Sequence, residues 1–288
     1  MERISLILNP DKDRNLMLAR KVLKMIVKYR VILLISERFR KYLETDFPGR
    51  ITFCGDDVLY TETELLIVFG GDGSIIRAAG KSTPAGVPVI GINLGRVGFL
   101  MEIERTELEL IHKIFDGSYT MESRMMLDAA VIRNGKQIHR MPPALNDAVV
   151  SNGRLSRMVD IVLSCGGCQV GTYHCDGIIA ATPTGSTAYS MSAGGPIIDP
   201  MLGGICLTPV CPHVLASRPM VLSPDAILDI ENVGIRGEAY LTIDGRTNFR
   251  LLPHDIVRIQ RSESVTKMLR VHKYSFFSML SKKLPDKF

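Results

Sequence analysis

The run Leu65-Leu66-Ile67-Val68-Phe69 is apolar enough for a buried strand, and it leads directly into Gly70-Gly71-Asp72-Gly73-Ser74 and the helix-like start Ile75-Ile76-Arg77-Ala78-Ala79. A glycine turn between strand and helix lets main-chain N–H groups approach phosphates, and ligands of parallel sheets bind beyond the carboxyl ends of the strands. Asp72 sets this turn apart. A carboxylate is costly where phosphates gather unless it works, either by accepting a proton from a hydroxyl or by holding Mg2+. The turn lacks the Lys-Ser/Thr ending of a P-loop and the Gly-x-Gly-x-x-Gly spacing of a dinucleotide fingerprint, so both are set aside. Taken alone, the segment is equally an Asp-Gly turn whose Ser74 caps the helix, with Arg77 on the surface.

Two further segments carry polar chemistry. Asp176-Gly177-Ile178-Ile179-Ala180-Ala181 is strand-like and continues as Thr182-Pro183-Thr184-Gly185-Ser186-Thr187-Ala188-Tyr189-Ser190-Met191-Ser192-Ala193-Gly194-Gly195-Pro196. Its hydroxyls and main-chain donors can line a pocket, and Tyr189 offers a ring face and a phenol to a nucleotide. The alternative is a flexible Ser/Gly loop, which the directly preceding apolar strand disfavours. In Leu145-Asn146-Asp147-Ala148-Val149-Val150 an amide and a carboxylate stand at the start of a strand. Such a pair hydrogen-bonds ribose hydroxyls or simply forms a turn. His174 is a structural histidine near a strand end, or one held in a single tautomer by Asp176 two residues on.

These residues need elements to position them. Over the first hundred residues, short apolar runs alternate with helical stretches, the pattern of a parallel sheet covered by helices. Ile4 to Leu8 and Val31 to Ile35 are expected strands. Asp13 is placed to cap a helix whose Leu16, Ala19, Leu23, Ile26 and Val27 share a face. Val87 to Ile92 is a further strand, and a helix from Glu107 to Phe115 ends at Gly117. Beyond about residue 120 the period becomes β-like. Asn134-Gly135 and Asp244-Gly245-Arg246 mark hairpins, and Met158 to Leu163, Gln169 to Tyr173, Gly177 to Ala181, Ala226 to Ile230 and Asp255 to Ile259 are expected strands. The fold expected is an α/β N-terminal domain with a parallel sheet, 1–118, followed by a mainly β, sandwich-like domain, 119–270, and a C-terminal tail, 271–288.

The composition permits this and excludes other classes. A chain of 288 residues with 46% hydrophobic and 23% charged content can bury a large core and is neither disordered nor a coiled coil. The net charge of +5 is spread along the chain, so no nucleic-acid partner is expected, although a few basic groups in a cleft would attract an anionic ligand. No apolar stretch is long enough to cross a bilayer and the first apolar run is too short for a signal peptide, so no membrane partner and a cytoplasmic location are expected. Six cysteines then imply reduced thiols, with zinc at Cys165, Cys168 and Cys175 disfavoured because a second CxxC is lacking.

In this order, Gly70-Gly71-Asp72-Gly73-Ser74, Asn146-Asp147 and the long Asp176 to Pro196 segment resemble the motifs of the NAD kinase family. The resemblance spans the chain from about residue 60 to the hairpin near Asp244. It implies transfer of the ATP γ-phosphoryl group to the 2′-hydroxyl of the adenosine ribose of NAD, giving NADP, with Mg2+ required and the protein assembled as a homo-dimer or homo-tetramer. It implies Asp72 as the base on that hydroxyl, with Gly70, Gly71, Gly73 and Ser74 at the ATP phosphates. Asp72, Gly73, Asn146, Asp147, Asp176, Thr187, Ala188, Tyr189, Ser190, Met191 and Ser192 correspond to NAD-binding positions, and Arg77, Arg157, His174 and Arg246 fall near further contact positions. Lipid kinases of the diacylglycerol and sphingosine type share the glycine-glycine-aspartate turn but lack the hydroxyl-rich segment. A non-catalytic NAD(P) sensor is the alternative from another class, and the presence of Asp72 argues against it.

Overall fold

The computed structural model describes residues 1–95, 98–153, 158–214, 217–234, 238–272 and 276–284. The chain divides into two units, Met1–Ser123 with Thr266–Phe288, and Arg124–Val265.

The first unit is built on the parallel strands β1 (Arg3–Ile7), β2 (Ile32–Ser36), β3 (Ile51–Cys54), β4 (Leu65–Gly70) and β5 (Val89–Asn93). Their spatial order is β5-β4-β1-β2-β3, with Ile4 opposite both Leu33 and Leu65. All six residues of β4 and all five of β5 are buried, as expected of strands covered on both faces by helices. The strand order reverses between β1 and β4. Such a reversal opens a crevice beyond the carboxyl ends of the two strands, where ligands of these sheets bind. The helix Met17–Ile26 buries Ala19, Val22, Leu23, Met25 and Ile26. Asp13 serves this helix from further upstream than an adjacent cap would: its carboxylate accepts the N–H groups of Leu18 at 3.0 Å and Ala19 at 2.9 Å. Asn15 and Leu16, at φ 56° and 54°, fold the chain back to make this possible.

The segment expected as a C-terminal tail, 271–288, groups with this first unit, and so do residues 266–270, expected to close the β domain. Met268 pairs in parallel with Val89 at the outer side of β5, and Phe276–Lys283 is a helix. Arg270, 7% exposed at its side chain, is held by Glu102 at 2.9 Å and Glu122 at 2.8 Å. Glu102 also accepts the N–H groups of Val271 and His272, each at 2.8 Å. The expected helix from Glu107 to Phe115 forms as a 3-10 turn, Leu108–Ile111, followed by an α turn, His112–Phe115.

The second unit takes in most of β6 (Thr120–Arg133), all of β7 (Lys136–Arg140), β8 (Asp147–Asn152), β9 (Val159–Cys165), β10 (Cys168–Cys175), β11 (Gly177–Ala181), β12 (Ile205–Val210), β13 (Met220–Leu222), β14 (Leu228–Asn232), β15 (Ala239–Ile243) and β16 (Thr247–Leu251), and the first part of β17 (Ile256–Arg270). One antiparallel sheet has the order β13-β12-β11-β8-β15-β16, and the strands β10-β9-β14-β17 are the antiparallel run of the chain's other sheet. Burial alternates along β9, β14 and β15, so each turns one face inward. Ile161, Leu163, Leu228 and Ile230 from one sheet share a core with Ile178, Ala180, Leu207 and Leu241 from the other, which makes this unit a sandwich. Both expected hairpins close through left-handed pairs, Asn134-Gly135 at φ 51° and 73° and Asp244-Gly245 at φ 50° and 65°. These are the conformations a two-residue turn requires to match strand twist.

Candidate functional site

In the first unit, β4 delivers Gly70 to the crevice, Gly71 is extended, and Asp72 is the first residue of the helix Asp72–Ser82. A carboxylate at this position is favoured by the helix dipole. Its two oxygens are fixed from a second side: Oδ2 accepts the Phe99 N–H at 2.7 Å and Oδ1 the Leu100 N–H at 3.0 Å. Gly98 lets the loop come this close, because a Cβ there would lie 1.9 Å from Oδ1 of Asp72. The side chain remains 33% exposed, so the carboxylate is both aimed and reachable. Gly73 and Arg77 are exposed. Ser74 makes no capping hydrogen bond at the head of this helix; its hydroxyl lies over Gly70, where only glycine leaves room for it.

The crevice contains two residues the motif did not suggest. A Cβ on Gly71 would stand 3.7 Å from Nζ of Lys12, and one on Gly70 the same distance from Nδ2 of Asn9. Both follow the end of β1, and the clue was available in the strand-like run stopping at Asn9-Pro10. Beyond the ends of β1 and β2 lies a cavity of about 620 Å³ whose walls include Arg14, Arg20, Arg38 and Lys41 with the rings of Phe39 and Tyr42. Such a wall is electropositive and stackable, and suits an anionic aromatic ligand.

In the second unit, sheet register brings three segments to one edge. Asp147 pairs with Ala181, and Ile243 with Ala148, so the start of β8, the turn after β11 and the β15–β16 hairpin meet there. Asp244 holds them: its carboxylate accepts the N–H groups of Leu145 at 3.1 Å, Asn146 at 2.8 Å and Asp147 at 3.1 Å. Thr182 donates its hydroxyl to the Leu145 carbonyl at 2.6 Å and accepts the Gly185 N–H at 3.0 Å. A Cβ on Gly185 would lie 2.0 Å from the Asn146 carbonyl oxygen, so the turn after β11 requires glycine for contact. Oδ1 of Asn146 is buried without a hydrogen-bond partner among the described residues. A buried acceptor in that condition invites a donor from a ligand. Burial and the nearby Asp244 charge push the Asp147 carboxyl up to about 7, which lets it serve as donor as well as acceptor near neutral pH.

The hydroxyl-rich segment is ordered structure. It runs through the short helix Tyr189–Ser192, and Ala193 and Ile198 pack on Val149, Ile179, Ala181 and Cys206. Tyr189 is 46% exposed, and its phenol is raised by burial and by the charges of Cys211, Asp176 and Asp147. Thr187, Ala188 and Met191 are half-buried and Ser192 exposed. The Ser190 hydroxyl is buried and bound to that of Thr208 at 2.8 Å, so its side chain serves the fold.

Asp176 and His174 lie at the opposite end of β11 from Asn146 and Asp147, since Gly177 pairs with Ser151 while Ala181 pairs with Asp147. The carboxylate that holds His174 is Asp160, 2.5 Å from Nδ1, rather than the sequence neighbour Asp176. Cross-strand pairing puts Asp160 directly opposite His174, closer than any residue along its own strand. Arg246 is exposed in the β15–β16 turn, and Arg157 lies outside the described residues. Among the described residues no group of three or more His, Cys, Asp or Glu side chains is arranged to hold a metal ion. No helix among the described residues is long and apolar enough to cross a membrane.

Residues 4–119 match the ATP-NAD kinase N-terminal domain, and residues 145–271 the ATP-NAD kinase C-terminal domain. An NAD kinase of Symbiobacterium thermophilum is 46% identical over 224 residues, covering 77% of this chain and 79% of that protein. An NAD kinase of a Thermoanaerobacter species is 37% identical over 288 residues and the whole of both chains. In fold, the chain superposes on yeast NADH kinase complexed with NADH with a TM-score of 0.90 at 22% identity, covering 100% of this chain and 88% of that one. It superposes on an NAD kinase from Archaeoglobus fulgidus in complex with ATP at 0.73 and 23%, covering 100% of both. An α/β unit with an aspartate at its switch-point crevice, a β sandwich and these matches define a phosphotransferase. The chain belongs to the NAD kinase family.

Proposed function

We propose that this enzyme transfers the γ-phosphoryl group of ATP to the 2′-hydroxyl of the adenosine ribose of NAD, forming NADP, with Asp72 as the proton acceptor. One observation carries the residue assignment: Asp72 stands at the head of the helix Asp72–Ser82 with both oxygens aimed by the Phe99 and Leu100 N–H groups. Phosphoryl transfer needs positioning and charge neutralisation more than a strong base. A carboxylate fixed in this way can orient the hydroxyl and take its proton as the new O–P bond forms.

ATP enters as its Mg2+ complex, whose metal neutralises phosphate charge. The main chain at Gly70, Gly71, Gly73 and Ser74 with Lys12 receives its phosphates, and the basic cavity beyond the ends of β1 and β2 suits the rest of the nucleotide. For NAD, Asn146 and Asp147 supply an unsatisfied acceptor and a titratable carboxyl, and Tyr189 supplies a half-exposed ring. The enzyme is assigned to the cytoplasm, and to a homo-dimer or homo-tetramer.

An assay with NAD, ATP and Mg2+ that follows NADP tests the reading. NADP formation supports it; phosphorylation of diacylglycerol or sphingosine in place of NAD, or nucleotide binding without turnover, overturns it.

A further inference from the structure

Lys283 ends the C-terminal helix Phe276–Lys283. Lysine is seldom buried unless paired, yet this side chain is 6% exposed, and its Nζ lies 4.0 Å from Oδ2 of Asp72. Nζ also stands 3.4 Å from the centroid of the Phe99 ring. Phe99 is the residue whose N–H holds that same Asp72 oxygen at 2.7 Å. The Phe99 N–H and the Lys283 ammonium therefore face the same Asp72 oxygen, and the Phe99 ring backs that ammonium. The charged groups facing Lys283 are Asp72, from the helix Asp72–Ser82, and Glu104, from the segment after β5. Glu104 also receives the Asn93 amide, at 2.9 Å and 3.1 Å.

We propose that Lys283 is a positioning residue of the phosphoryl transfer, its ammonium holding the Asp72 carboxylate in its aimed position, so that the C-terminal helix is part of the reaction site. The proposal rests on Asp72 being the proton acceptor. In that step the 2′-oxygen bonds to the γ-phosphorus, the bond from that phosphorus to the β,γ-bridging oxygen breaks to leave ADP, and the hydroxyl proton passes to Asp72. Lys283 gains and loses nothing. A cation beside a carboxylate attracts it and restrains its direction, and a ring face adds attraction for that cation.

The same burial makes the arrangement pH-sensitive. Burial, opposed by Asp72 and then Glu104, lowers Lys283 to about 8. As pH rises through that value the amine becomes neutral, Asp72 loses its cation, and kcat declines. An arginine stays charged across the accessible range.

The experiment compares the wild-type enzyme with K283M, K283R, D72N and the D72N/K283M double variant, measuring kcat, both KM values and the pH profile of kcat. K283M is expected to lower kcat by about 10- to 100-fold with each KM within about threefold, the pattern of a charged group near the proton acceptor that acts mainly in the transition state. K283R is expected to recover most of kcat at neutral pH and to carry its activity further into alkaline pH than wild type. In the D72N background, K283M should add little, because the two residues act as one unit. A K283M kcat within twofold of wild type with D72N inactive overturns the Lys283 proposal alone; an active D72N overturns the base assignment beneath it. Should K283M fail to fold, K283R decides, and an alkaline limb unchanged from wild type overturns the proposal.

Discussion

Asp244 carries the main chain of Asn146: Oδ1 of the aspartate accepts the Asn146 N–H at 2.8 Å and that of Asp147 at 3.1 Å, while Oδ2 accepts Leu145. Three donors on one half-buried carboxylate form a socket that sets the direction of the Asn146 and Asp147 side chains. Asp244→Ala would leave those N–H groups without their acceptor, at a cost of about 1–3 kcal/mol. The expected result is a raised KM for NAD, a KM for ATP changed much less, and a lowered Tm. Equal changes in both KM values would show that Asp244 supports the fold without shaping the NAD contacts proposed for Asn146 and Asp147.

Asp72 is reachable because Gly98 has no side chain. Asp72→Asn keeps size but presents an amide NH2 to one of the two N–H groups at Phe99 and Leu100, and it removes the basic oxygen. We expect kcat to fall by about 10²–10⁴, the range of general-base contributions, while NAD still binds by calorimetry. Gly98→Ala should also lower kcat in a folded protein, by forcing the carboxylate off its axis. Near-normal kcat in folded Asp72→Asn would remove Asp72 from its assigned role.

Local pattern made part of this architecture legible. The apolar run before Gly70 places a parallel strand at the glycine turn, and Asn134-Gly135 announces its hairpin, because both depend on neighbours in sequence. Asp244 escaped notice as a site residue because its partners are fixed only by the register of β8 against β15. Lys283 lay in a segment expected to be a tail, and its burial depends on a helix docking beside a turn from the first third of the chain. The link between His174 and Asp160 was hidden for the same reason: cross-strand pairing outweighs sequence proximity. Short strands also passed unread: Ile51–Cys54 has no fully buried residue, and Ile205–Val210 contains Pro209, which weakens a strand pattern.

Asp147 ties stability to pH. Burial first, then Asp244, raises its carboxyl from the ordinary 3.8 to about 7. The folded protein thus keeps a proton that the unfolded chain releases, so this support for the fold is complete below about pH 4 and is lost as pH rises through about 7. Asp147→Asn should remove the dependence. Its Tm is expected to gain on wild type as pH increases from 5 to 8, by an amount equivalent to about 1–3 kcal/mol. Parallel Tm curves for the two proteins would place the carboxyl in its ordinary range.

The Arg270 guanidinium ties the C-terminal segment into the first unit, since both Glu102 and Glu122 meet it and Glu102 also receives two main-chain N–H groups. Removing one member of a buried charged group is far more damaging than replacing the whole group by apolar residues, because the remaining charge stays buried. Glu102→Ala is therefore expected to cost about 3–5 kcal/mol in urea unfolding. Arg270→Met alone should be milder, because two glutamates can take up protons, whereas Glu102→Ala leaves a guanidinium that cannot deprotonate with Glu122 alone and takes the acceptor from the Val271 and His272 N–H groups. The helix Phe276–Lys283 follows directly in the chain, so Glu102→Ala should also increase proteolysis near residue 270 and lower kcat before global unfolding begins. Retention of full kcat in Glu102→Ala after cleavage there would separate the C-terminal segment from the reaction site.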